Sequence, residues 1–128
     1  MNKITLTALV VLLCTLVLSA AGSPIMRKQI NYNEVEANLL AGIDSQNQGL
    51  FISSTLKLGD LKSEKAVIPL MKVLKSSNDE ASRLAAALAL YKIGNNKGMF
   101  AVKMASRFDD SKRVRNLCEK FYIESLRS

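Results

Sequence analysis

With 128 residues, 18 lysines and arginines and 11 aspartates and glutamates, the chain has room for one domain and carries a net charge of +7. It contains no histidine and no tryptophan, and only two cysteines. This leaves no basis for a zinc centre of clustered His and Cys, or for a serine or cysteine nucleophile activated by an imidazole.

The chain opens on MNKITLTALVVLLCTLVLSAAGSP, in which Lys3 precedes an apolar run from Ile4 to Leu18 and then small residues. That order is the n-, h- and c-region order of a secretory signal peptide. Ser19 and Ala21 put small side chains at the −3 and −1 positions, so residues 1–21 are expected to be a signal peptide and 22–32 a linker. The alternative is an uncleaved membrane anchor, because no charge occurs between Lys3 and Arg27. Cleavage leaves 107 residues with a charge of +6, exported to the periplasm or the exterior. Cys14 departs with the leader, so Cys118 stands alone and packing, not a disulfide, must stabilise the fold.

From residue 33 to 128 the sequence reads as helices only. NEVEANLLAGID resembles half of a two-helix unit. NQGLFISSTLKLG then carries Leu50, Ser54 and Leu58 on one face, with Phe51 and Leu56 beside it. Its partner, SEKAVIPLMKVLKSS, carries Val67, Leu70, Met71 and Leu74, a helical stripe, with Pro69 expected in the second turn of a kinked helix. SRLAAALALYKIG follows. Ala85, Ala86, Ala87 and Ala89 cover most of its circumference between Leu84, Leu88 and Leu90, as a helix packed on several sides requires. NKGMFAVKMASRFDD offers Ala101, Met104, Ala105 and Phe108 as its apolar face, and the last helix offers Val114, Leu117, Cys118 and Phe121. Arg113, Arg115, Glu119, Lys120, Glu124 and Arg127 wet the outer side of that last helix, as the end of a stack needs. Ser63, Asn78 or Asp79, Asn96, and Asp110 or Ser111 stand where N-caps are wanted; Gly59 and Gly94 stand where a left-handed C-terminal residue is wanted.

Those two glycines are 35 residues apart in similar surroundings, and Val114-Arg115 follows Ser82-Arg83 by 32. The segment SRLAAALALYKIGNNKG, preceded by AVIPLMKVLKSSND and followed by SKRVRNLCEKF, resembles the HEAT-like repeats also called PBS-lyase HEAT-like repeats, here as a small exported bacterial member. The resemblance covers residues 33 to 126, strongest in the central unit; in the first unit Gln48 replaces the arginine and Ser53-Ser54 part of the alanine region. It implies an all-α fold, a short right-handed α-solenoid of about two and a half helix pairs, in which the second helix of each pair lines a concave face. It also implies interaction in place of catalysis.

Few residues stand in patterns that carry chemistry. SSNDEAS and FDDSKR place acids side by side, without the alternate spacing and central glycine of a calcium loop. GNNKG lacks both the spacing and the preceding strand of a phosphate loop. Cys118 shares a face with Val114, Leu117 and Phe121 and reads as a small core residue. No enzyme activity, metal or cofactor is expected. Arg83 and Arg115, with Asp79 and Asp110 just upstream, are expected to tie neighbouring units together. Opposite the apolar stripes of the second helices lie Lys65, Lys72 and Lys75 on one and Lys103 and Arg107 on the other, a basic strip expected to dock a partner.

The function expected is therefore an exported, non-enzymatic adaptor binding a protein partner, acidic in character, through a basic concave face. The alternative readings are an anionic envelope surface as partner, a self-assembling or capping subunit of a larger envelope complex, and an accessory subunit of an enzyme. Nucleic acid is not expected, because aromatic residues are sparse among the basic ones and export removes the chain from the cytoplasm.

Overall fold

A computed structural model describes residues 29–128. The expected signal peptide and cleavage position fall outside the described residues. The described helices belong to a compact unit, Asn31–Ser128. Among the described residues there are six α-helices and no strand: α1 (Tyr32–Ile43), α2 (Gln48–Asp60), α3 (Val67–Ser76), α4 (Glu80–Ile93), α5 (Asn96–Phe108) and α6 (Lys112–Ser125). A single 3-10 turn, Glu64–Ala66, leads into α3.

Helix starts are set by short polar side chains that occupy the free amide hydrogens of the first turn. The side chain of Asn31 caps α1, Asn47 α2, Asp79 α4, Asn95 α5 and Ser111 α6. Asn95 caps α5 in place of the expected Asn96. Ser63 starts the 3-10 turn without capping it; its hydroxyl donates to Glu36 Oε1 at 2.6 Å.

These positions reveal the true period. Asn47, Asp79 and Ser111 are successively 32 residues apart, and so are Asn31, Ser63 and Asn95. Two residues before each cap of the first set stand Ser45, Ser77 and Asp109. Their side-chain oxygens accept from the cap's backbone N–H at 3.1, 3.2 and 2.8 Å. The 35-residue spacing of Gly59 and Gly94 is a coincidence of composition. The equivalent of Gly94 (φ 73°) is Lys62, and it too takes the left-handed conformation, at φ 52°. Gly59, expected there, lies inside α2. It is a glycine because α2 and α4 approach closely: a Cβ at this position would come 2.9 Å from Ala89 Cα.

The helices pack in two rows. In one, α2 lies against α4 and α4 against α6; in the other, α3 lies against α5. α1 packs on α2, α3 on α4, α4 on α5, and α5 on α6. The alanine-rich α4 is therefore enclosed by α2, α3, α5 and α6. Ser82, Ala85, Ala86, Ala87, Ala89, Leu90 and Ile93 are all buried, and only Ala81 and Lys92 are exposed. Leu58, Leu70, Leu90, Val67, Val102, Val114 and Cys118 are the largest apolar side chains fully withdrawn from water, each contributing roughly 1.5–3 kcal/mol of transfer free energy.

Several faces sit one step round from the expected register. On α2 the core side is Phe51, Ser54, Thr55 and Leu58, while Leu50 is half exposed. On α5 the core side is Gly98, Met99 and Val102, and Phe108 is 71% exposed. Pro69 is the third residue of α3, in the first turn, where a missing N–H costs little and no kink is needed.

Candidate partner-binding face

Of the side chains expected to join neighbouring units, Arg83 bonds across to the loop before α6, through Asp109, whereas Arg115 bonds only carbonyls of the loop before its own helix. Arg83, on the first turn of α4, reaches Asp109 in the loop before α6 with two parallel bonds, Nε to Oδ2 at 2.9 Å and an Nη to Oδ1 at 3.0 Å. Its third donor goes to the carbonyl of Ser77 at 2.9 Å. Both side chains are nearly enclosed, at 12% and 6% exposure, so the pair is geometrically locked. The Asp109 carboxylate holds the Arg83 guanidinium above its ordinary proton affinity. Asp110 contributes only its backbone carbonyl, which accepts from Arg115 at 3.1 Å; Arg115 also donates to the carbonyl of Asp109. Arg83 and Arg115 thus make the same bond 32 residues apart, each to the carbonyl two residues before its own helix cap.

Asp79, just ahead of α4, takes a bond from Gln48 on α2. Its carboxylate accepts from the Ser82 N–H and hydroxyl and from Gln48 Nε2 at 2.8 Å. Those bonds, led by the Ser82 hydroxyl, hold its pKa below the usual 3.8. The same rule recurs along the chain: the residue following one cap reaches the cap of the next unit. Gln48 reaches Asp79, Ser111 donates to Glu80 at 2.7 Å, and Asn95 donates to Glu64 at 2.7 Å. Lys92 adds an ion pair with Asp60 at 2.6 Å, which lowers the Asp60 pKa.

The five residues of the expected basic strip are dispersed. Lys65 lies in the 3-10 turn, bonded to Glu36 at 2.7 Å, and with Ser63 it lowers the Glu36 pKa. Lys103 is half-buried, with its Nζ 5.2 Å from the centre of the Tyr122 ring, in a cleft formed by the C-terminal ends of α4 and α6 and the start of α5. Arg107 is exposed on α5. Only Lys72 and Lys75 come together, on the rim of a groove of about 660 Å³ between α3 and α5.

That groove is the feature the sequence reading missed. Ile68, Met71 and Leu74 form its α3 wall; Phe100, Met104 and Phe108, at four-residue spacing, form the α5 wall; Ala101 and Ala105 lie between. Ile68, Phe100, Met104 and Phe108 are 62, 60, 37 and 71% exposed, a contiguous apolar surface and not scattered single residues. The 32-residue period carries the signal that would have found it. It aligns Met99 and Val102 with the buried Val67 and Leu70, and it aligns Phe100 and Met104 with the exposed Ile68 and Lys72.

Cys118 is fully buried on α6, and burial pushes its thiol up to about 12, which removes the thiolate needed for reactivity. Among the described residues no cluster of His, Cys, Asp and Glu could hold a metal, and no helix is long and apolar enough to cross a membrane. In comparisons with known proteins, no family model and no curated protein matches the chain. Function must therefore be read from the surface.

Proposed function

We propose that the chain is an exported, non-enzymatic binding module, a short right-handed solenoid of HEAT-like helix pairs, and that the groove between α3 and α5 is where it takes its partner. The observation that carries this reading is the row of Phe100, Met104 and Phe108 standing in water opposite Ile68 and Met71. A cluster of large apolar side chains costs solubility unless something covers it. Repeat arrays present binding surfaces along one row of helices, and α3 and α5 form such a row. The 32-residue recurrence of caps, left-handed turns and inter-unit bonds supports the solenoid. The apolar run at Ile4 to Leu18, preceded by Lys3, supports export.

Site-specific photo-crosslinking in the producing cell tests this. A photoreactive phenylalanine at position 104 or 108 should give one discrete adduct, and the same group at Lys120 on the outer side of α6 should not. Equal yields at all three positions, or none at 104 and 108, would remove the groove as the partner face.

A further inference from the structure

We infer that the occupant of the α3–α5 groove is an amphipathic α-helix of two to three turns carrying acidic residues along its flank. The inference rests on the groove being the partner face and adds the chemistry of what fills it. The shape argues for a helix. The walls are two helices whose main-chain groups are already bonded within themselves, and there is no sheet edge among the described residues. An extended segment laid on Phe100, Met104 and Phe108 would leave its own N–H and C=O groups unpaired against apolar side chains, whereas a helix satisfies them internally. Ala101 and Ala105 keep the space between the walls low enough for a ridge of side chains to enter. From Phe100 to Phe108 the wall runs about 12 Å at 1.5 Å per residue, which matches a stripe at i, i+3 or i+4, and i+7 on the incoming helix.

The charge argues for acid. Lys72 and Lys75 on the rim are exposed and take part in no ion pair among the described residues. The one carboxylate at the groove, Asp109, is engaged by Arg83. A second copy of the chain is a poor occupant for the same reason, since self-pairing over this face sets uncompensated lysines against each other. A flat bilayer would touch the rims and leave the floor unfilled.

The test uses the full chain and synthetic 14-residue peptides, read by fluorescence anisotropy. The first peptide has leucines at the stripe positions and glutamates flanking them. The second replaces the glutamates by lysines, and the third carries two prolines in mid-sequence. The glutamate peptide should bind. Met104→Glu should abolish its binding with the thermal transition unchanged. K72E combined with K75E should weaken it about tenfold, as expected for two exposed contacts turned from attraction to repulsion, and should improve capture of the lysine peptide. Lysine or proline peptides binding as tightly as the glutamate peptide would overturn the acidic helix while leaving the groove. Phosphatidylglycerol vesicles retained through Met104 when no peptide binds would overturn it in favour of a lipid surface. Binding of every probe unaffected by Met104→Glu would overturn the groove itself.

Discussion

Replacing Arg83 by methionine tests the central junction most directly. The substitution preserves much of the side-chain volume and removes three donors. Asp109, only 6% exposed, keeps a single partner, the Ser111 N–H at 2.8 Å, and the Ser77 carbonyl loses its contact with Arg83. Leaving one half of a buried ion pair costs about 3–5 kcal/mol; the remaining amide bond and partial re-wetting of a loop carboxylate reduce that, so about 3 kcal/mol is expected. Asp109→Asn in the same background removes the stranded charge but keeps the acceptor for Ser111. The double variant should therefore recover about 2 kcal/mol relative to the sum of the two single losses. Urea unfolding followed by circular dichroism measures this. With a slope of about 1.5 kcal/mol per molar, Arg83→Met should lower the midpoint by about 2 M at unchanged slope. A loss below about 1 kcal/mol, or two losses that simply add, would show that the pair is an incidental surface contact and that the argument from enclosure is wrong.

The other predictions concern the turn, the thiol and acid. Lys62→Gly should stabilise the fold by about 0.5–1 kcal/mol, because Lys62 holds a left-handed conformation at φ 52°, and Gly94→Ala should cost about 1 kcal/mol; Lys62→Gly lowering the melting temperature would break the equivalence of the two turns. In a Cys14→Ser background, Cys118 should resist iodoacetamide at pH 8 until urea unfolds the chain, since its thiol is buried and pushed up to about 12; labelling at the rate of a free thiol would contradict that burial. Glu36, Asp60 and Asp79 have pKa values held below the ordinary 4.5, 3.8 and 3.8 by Lys65, Lys92 and Ser82 respectively. A depressed folded-state pKa gives stability that is complete above the unfolded value and lost as pH falls through the folded one. The melting temperature should thus be level from pH 5 to 7, with no histidine to titrate there, and should fall below about pH 4. A midpoint that drops between pH 7 and 5 would point to a group outside these three.

The helices, their order and the enclosed position of α4 were legible because they rest on strong local signals. Four alanines among leucines can satisfy only a helix surrounded by others, and Asp79 and Ser111 are short acceptors placed just ahead of an apolar stripe. The faces of α2 and α5 were misjudged for a common reason. Each has an apolar arc wider than one neighbouring helix covers, so periodicity alone cannot say whether Leu50 or Phe51, or Phe108 or Val102, turns inward; the neighbouring helix decides. Gly59 misled because close approach of α2 to Ala89 and a left-handed turn both ask for glycine, while the actual turn residue, Lys62, carries no such mark. The exposed groove residues were hidden by the same confusion. Met104 and Phe108 look like core in one dimension, and their exposure follows only from where α3 lies.

Because the residue after a cap position meets the cap 32 residues on, at Gln48–Asp79, Glu64–Asn95 and Glu80–Ser111, the chain carries its own splice rule. A duplicate of residues 79–110 inserted before Ser111, with Asp79→Ser in the copy, would meet the original through that serine hydroxyl donating to Glu80, as Ser111 does now, and with Arg83 again within reach of an Asp109. The molecule should lengthen by whole modules of 32 residues, each adding another α5-like wall. The span available to a bound helix would then be set by copy number and not by rebuilding any surface.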